Sequence, residues 1–262
     1  MNNDAMLEKL LHSRKYQSVC PDTVRRVWEE CRDKYKKPKD AEKAAREQLH
    51  GLTGAFLTPP ESADCRKDMR AWATGGRGDE ALERALSRHA STRERLPLSR
   101  TDDMYAHIFE VTGRPAAALD LACGLNPLYL GARGVPCVGV DVSGEAVGIV
   151  NACGADYALP ISAVCADLLC PGAIPNQRFE LALLFKILPL LERQKSGAAQ
   201  STMRAIDARF LAVSFPTRTL GGRNVGMEAN YSAWMEAHLP ENRRVAARFV
   251  LENELFYILE EN

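Results

Sequence analysis

From residue 116 to residue 259 the chain is punctuated by short apolar runs, at 116–122, 135–140, 159–165, 179–185, 210–215 and 255–259. Each is far too short to span a bilayer, which takes about 20 residues. Continuous rather than alternating hydrophobicity marks strands covered on both faces, as in a parallel sheet. The segments between the first five runs are long enough for helical crossovers, which parallel strands require. The pattern predicts an α/β fold with a doubly wound, Rossmann-like sheet. The last two strands, around Phe249 and 255–259, are expected to pair antiparallel at the sheet edge.

The first 110 residues have a different texture. Leu7, Leu10 and Leu11 recur at helical spacing, and Cys20-Pro21-Asp22-Thr23 opens a helix whose stripe is Val24, Val27, Trp28 and Cys31. Pro38-Lys39-Asp40 opens another, running to Gly51; further helices are expected at 61–74, 79–89 and 101–111. Nothing in residues 1–100 reads as a strand. The expected division is therefore an all-helical domain over 1–110 and a sheet domain over 111–262.

The formal net charge is zero, but the two parts differ. Residues 1–100 hold 21 Lys and Arg against 16 Asp and Glu, and the remainder holds 13 against 18. A basic front on an acidic body points to an anionic partner. The start Met1-Asn2-Asn3-Asp4 lacks a basic-then-apolar signal pattern, so a cytoplasmic protein with no membrane partner is expected, with a monomer as the default. None of the eight cysteines has a partner at the two-residue spacing of a zinc knuckle. They read as reduced, buried hydrophobes, and no metal is expected.

The first sheet strand leads into Leu119-Asp120-Leu121-Ala122-Cys123-Gly124-Leu125-Asn126-Pro127. In doubly wound folds the ligand lies beyond the carboxyl ends of the strands. A dinucleotide turn carries Gly-x-Gly-x-x-Gly to cradle a pyrophosphate. Here a single glycine, Gly124, stands after Ala122, which favours a cofactor without phosphate: S-adenosyl-L-methionine. Asn126 and Pro127 are expected to cap and start the next helix. Asp141 ends the second strand, 21 residues after Asp120, where a carboxylate accepts from ribose hydroxyls. As a bare residue it is equally a turn aspartate before Ser143-Gly144. Asp167 could accept from the adenine amine and Leu168 pack on the ring, although a cap is as good a reading of Asp167 alone. The fourth strand ends in Phe185-Lys186-Ile187-Leu188-Pro189, without the Asn/Asp-Pro-Pro-Tyr that holds an exocyclic amine.

With these segments in place the chain resembles the 16S rRNA guanine-N7 methyltransferases that confer aminoglycoside resistance, in particular the acquired branch. The likeness runs nearly the whole length, through Cys20 to Arg26, Leu49-His50-Gly51, His89 to Arg95, Ala122 to Pro127, Phe185 to Arg193, Val213 to Arg218 and Gly226 to Tyr231. The resemblance implies methyl transfer to N7 of guanine 1405 in assembled 30S subunits, by a class I methyltransferase domain behind an RNA-docking helical domain. It also implies cofactor contacts at His89, Ala90, Ser91, Arg95, Gly124, Asp141, Asp167, Leu168, Phe185 and Gln194, with Phe56 nearby and Arg95 on the methionine carboxylate. Without it, Ser91-x-x-Glu94 reads as a capping box.

Guanine N7 carries a lone pair and no proton, so no catalytic acid or base is expected, only positioning. N7 lies in the narrow major groove of RNA, so the base must be flipped or the site distorted. Phe215, Arg218, Arg223, Lys186 and Tyr231 are candidates to hold it. Arg14, Lys15, Arg25 and Arg26 are candidates for phosphate contacts. Two other classes fit the residues less well: a small-molecule methyltransferase with the front as a lid, disfavoured by the basic front, and a non-catalytic RNA-binding assembly factor, disfavoured by the retained Asp141 and Asp167.

Overall fold

The computed structural model describes residues 3–53, 57–217 and 226–262. The front of the chain is helical: α1 (Asn3–Leu11), α2 (Pro21–Lys34), α3 (Pro38–Thr53), α4 (Pro59–Thr74), α5 (Asp79–Leu86), the single turn α6 (Ala90–Arg93) and α7 (Leu98–Thr112). Proline at the first turn starts α2, α3 and α4, where its missing N–H leaves nothing unsatisfied. The capping box stands at Thr58 and Glu61, which bond each other's backbone N–H, and not at Ser91 and Glu94. His89 caps α6 instead, its Nδ1 accepting from the Ser91 N–H, while Glu94 turns to Lys186.

The remainder alternates: β1 (Ala118–Leu121), α8 (Asn126–Ala132), β2 (Cys137–Asp141), α9 (Gly144–Tyr157), β3 (Ile161–Cys165), β4 (Phe179–Phe185), α10 (Leu188–Gln194), α11 (Ala198–Ala205), β5 (Ala208–Pro216), α12 (Met227–Ala237), β6 (Arg243–Leu251) and β7 (Glu254–Glu261). The strands form one sheet in the order β3-β2-β1-β4-β5-β7-β6. The first five are parallel; β7 pairs antiparallel with both β5 and β6, as the final apolar runs predict. This is a doubly wound, Rossmann-like sheet with an antiparallel pair at one edge. The strand order turns back between β1 and β4, so the ligand crevice belongs at their carboxyl ends.

Alternate residues of β4 face opposite sides of the sheet. Leu181 and Leu183 join one core with Met69 and Trp72 of α4, Leu82 and Leu86 of α5, and Tyr105 and Ile108 of α7. Ala182 and Leu184 join a second core with Leu191, Met203 and Met235 of α10, α11 and α12. A third core is closed within α1 to α3: Met6, Leu10, Tyr16, Trp28, Cys31 and Leu49. The expected boundary at residue 110 falls inside α7, which ends at Thr112 ahead of the first strand. The apolar cores group the elements otherwise, because α4, α5 and α7 share theirs with the sheet. All eight thiols are free, six of them buried. Among the described residues no helix is long and apolar enough to cross a membrane.

Candidate active site

The carboxyl ends of β1, β2, β3 and β4 open into a cavity of about 250 Å³. Its walls carry His89 and Ser91, Ala122, Val140 to Val142, Ala166 to Leu168, Phe185 to Ile187, and Leu190, Leu191 and Gln194 of α10. Thr23 and Arg26 of α2 and Leu52 of α3 complete it from the front of the chain. The lining is mostly apolar with a few convergent polar groups, the make-up of a small-molecule site.

Two backbone positions shape its floor. Ala122 after β1 and Lys186 after β4 both adopt left-handed conformations, with φ of 58° and 57°. Non-glycine residues take up that region at a cost of order 1 kcal/mol, and such strain gathers at ligand sites. Gly124 is also left-handed, at φ 50°, and a Cβ there would stand 2.7 Å from His89 Cε1 and 2.9 Å from Ser91 Oγ. The single glycine of the turn therefore makes room for the His89–Ser91 corner of the protein.

Asp141 organises this end. Its Oδ2 accepts from the Gly124 N–H at 2.8 Å and its Oδ1 from the Ser143 N–H at 2.8 Å. It thus serves the turn and still borders the cavity. Burial pushes its carboxyl above the ordinary range, against the two backbone N–H groups. Burial likewise lowers the His89 imidazole and favours its neutral form, despite Asp141 nearby.

At the other end Asp167 accepts from the Leu169 N–H at 2.9 Å through Oδ1. Its Oδ2 receives Nε and Nη2 of Arg26, at 3.0 and 2.9 Å. Arg26 also donates to Gln194 Oε1 at 3.0 Å and to Glu30 at 3.0 Å. The Arg26 side chain is only 13% exposed. The expectation that it meets RNA phosphate is corrected: it turns inward and joins α2 to two residues of the cavity wall.

Arg95, expected on the methionine carboxylate, is engaged by protein groups. It does not line the cavity but lies buried beside it, forked onto Glu254 with Nη2–Oε1 2.7 Å and Nε–Oε2 3.2 Å. Its guanidinium stacks 4.5 Å from the centre of the Phe185 ring, so it backs a cavity wall from behind. Ser214 also donates to Glu254, and Lys186 Nζ lies 3.4 Å from it and 2.8 Å from Glu94. Burial alone would raise the Glu254 carboxyl; Arg95 and Lys186 outweigh it and hold it below its ordinary value.

Asn126 is not the cap of α8 either. It donates to Asp120 Oδ2 at 2.7 Å and bonds the Tyr105 hydroxyl at 2.7 Å, forming a buried polar chain under the turn. Burial pushes Asp120 up to about 7, against the help of Asn126 and Arg95.

Of the expected cofactor residues, His89, Ser91, Ala122, Asp141, Asp167, Leu168, Phe185 and Gln194 line the cavity, whereas Ala90, Arg95 and Gly124 are not among its lining residues. Phe56, Arg218 and Arg223 lie outside the described residues. Arg14, Lys15 and Arg25 are exposed, whereas Lys186 is tied to its two carboxylates. Phe215 is fully buried, stacked 4.9 Å from Tyr231 and edge-on to Trp234, and presents no face to a base. Sequence reasoning missed Thr23, Leu52, Leu190 and Leu191. The last two follow Phe185 by one helical turn or more, a proximity that could have revealed them.

The family model described as "Ribosomal RNA methyltransferase (FmrO)" matches residues 12–258. This chain belongs to that family. Within it, the 16S rRNA (guanine(1405)-N(7))-methyltransferase of Serratia marcescens is 40% identical over 263 residues, covering all of both chains. That of Frankia casuarinae is 38% identical, over 98% of this chain and 93% of its own. Among solved family structures, the 16S rRNA methyltransferase RmtF in complex with S-adenosyl-L-homocysteine superposes with a TM-score of 0.90 at 43% identity, covering all of both chains.

Proposed function

We propose that this chain transfers the methyl group of S-adenosyl-L-methionine to N7 of guanine 1405 of 16S rRNA in the 30S subunit, and so confers resistance to aminoglycosides. The observation that carries the reading is the cavity at the β1/β4 turning point, with its single-glycine turn and Asp141, in a chain whose ribosomal RNA methyltransferase match spans 12–258. The cavity suits this cofactor. Its walls are apolar enough for a nucleoside, they offer carboxylates to hydroxyl and amine donors, and the turn has no phosphate-binding glycines.

S-adenosylmethionine supplies an electrophilic methyl on a sulfonium centre. The chain supplies position. Asp141 accepts from the ribose hydroxyls with the lone pairs that Gly124 and Ser143 leave. Asp167 and Leu168 meet the adenine, and Gln194 and Phe185 close the wall. Arg95 acts through Phe185, which it holds by stacking, rather than as a contact to the methionine carboxylate. Guanine N7 has no proton to lose, so no side chain needs to act as a base. Orientation of the lone pair and exclusion of water carry the rate. Lys186 borders the cavity at its Phe185 end, where its ion pairs with Glu94 and Glu254 hold it in place beside the reacting centre.

The front unit docks on the RNA through Arg14, Lys15 and Arg25. Such contacts release counterions and make binding steeply salt-dependent. The enzyme acts as a monomer in the cytoplasm, where its 30S substrate is found. Tritiated cofactor offered with purified 30S subunits, free 16S RNA and a metabolite pool tests the reading. Label in 30S subunits alone supports it; label in metabolites, or none, contradicts it.

A further inference from the structure

We propose that helix α2 is part of the cofactor site, with Thr23 contacting the bound nucleoside and Arg26 positioning Asp167 and Gln194, so that cofactor and 30S binding strengthen each other. The inference rests on the functional reading above and extends it to a helix that reading assigns only to RNA.

Three observations carry it. First, Thr23 Oγ1 is buried and has no hydrogen-bond partner among the described residues, yet Thr23 lines the cavity. The hydroxyl is packed against protein in this rotamer, at a residue only 1% exposed; rotation about χ1 brings it to the cavity, where a ligand with polar edges satisfies it. Second, one guanidinium, Arg26, holds two further cavity residues at once, Asp167 and Gln194. The sequence separations are 141 and 168, so this arrangement exists only while α2 sits on the sheet. Third, α1 to α3 close a core of their own. They meet the sheet domain at the Val19–Ser143 bridge, at Cys20 N–H to Val142 O, and at Gly144 N–H to Ser18 O. Those contacts fall directly after Asp141. The front unit therefore touches both ends of the cavity.

A ligand clasped between two bodies stabilises their docked arrangement. The same unit carries the exposed cations Arg14, Lys15 and Arg25 on its outer surface. An RNA held at once by those cations and, at its target base, by the sheet domain favours the docked arrangement that completes the cavity, and cofactor favours it from the other side. Linkage makes the two effects equal.

S-adenosylhomocysteine and purified 30S subunits are the probes, used with the full chain. Calorimetry gives the affinity for S-adenosylhomocysteine, and filter binding gives 30S affinity with and without it. In the unsubstituted protein S-adenosylhomocysteine should tighten 30S binding by about fivefold or more. Thr23→Val, nearly isosteric, should weaken S-adenosylhomocysteine about threefold to tenfold. Arg26→Met should weaken it more, erase the tightening of 30S binding, and be partly rescued by Arg26→Lys. S-adenosylhomocysteine affinity unchanged in either Thr23→Val or Arg26→Met would overturn the proposal. So would an unsubstituted protein that methylates 30S subunits but binds them equally well with and without the ligand. Failure to methylate 30S subunits at all would instead overturn the functional reading beneath it. Thr23→Val keeps the test decisive should Arg26→Met not fold.

Discussion

Two sets of cations on this chain look alike as sequence and differ as structure. Arg14, Lys15 and Arg25 face solvent, and Arg25 holds an exposed ion pair with Asp22. Arg26, Arg95 and Lys186 turn inward, each onto carboxylates at or behind the cofactor cavity. The outward set stays available to phosphate. The inward set has exchanged water for fixed partners, and those partners hold the walls of the site. A count of charges in the front third cannot separate the two, since Arg25 and Arg26 are neighbours on one helix. What separates them is whether the helix face packs against the sheet.

The contrast is broken most severely at Glu254. Glu254→Ala leaves Arg95 buried without a counter-charge, which costs about 3–5 kcal/mol. A fall in Tm on the order of 10 °C follows for a chain of this size, and thermal melting reads it. Replacing both partners with apolar residues should recover most of the loss, because the damage comes from orphaning a charge.

Asp120 is the counter-case, a buried carboxylate to which, among the described residues, Asn126 donates and no cation bonds. Its carboxyl is raised to about 7, so the folded state keeps a proton that the unfolded chain releases near pH 4. Stability from this group is therefore lost as pH rises from about 4 to about 7 and is level above. Relative to Asp120→Asn, which cannot titrate, the unsubstituted protein should lose about 2–3 kcal/mol between pH 5 and pH 7.5. Denaturant melts of both proteins across that range measure the difference; parallel curves would show that Asp120 is already ionised at pH 5.

Asp141→Asn tests the cavity end that uses no cation. It removes the charge that receives the Gly124 and Ser143 N–H groups, and S-adenosylhomocysteine should bind about tenfold to a hundredfold more weakly by calorimetry. The smallest effect belongs to the outward set. Reversing both Arg14 and Lys15 to Glu should weaken 30S binding by about tenfold near physiological salt and flatten its salt dependence. Cofactor affinity should not move. If it did, the division between outward and inward cations would fail.

The sheet was legible in the sequence because apolar runs of strand length with helix-length gaps admit few arrangements. Asp141 was legible because its distance from the first strand is fixed by one βαβ unit. Arg26 and Arg95 were not, because their partners Asp167 and Glu254 lie 141 and 159 residues away, and nothing local marks a helix face as inward. Asn126 sat where a cap belongs, yet the nearby Asp120 and Tyr105 offered it a buried network instead. The capping box moved from Ser91 to Thr58 because His89 supplies the α6 cap itself and Lys186 draws Glu94 away.

A methyl on N7 of guanine 1405 leaves a chemical mark on the RNA. Methylation at N7 weakens the base's bond to the ribose enough for borohydride and aniline to cut the strand there. Purified 30S subunits incubated with the protein and S-adenosylmethionine, then cleaved this way and read by primer extension, test it directly. A new stop marking guanine 1405, dependent on both protein and cofactor and absent with Asp141→Asn at limiting cofactor, is the predicted result. An intact strand at 1405, or cleavage at another guanine, would contradict it.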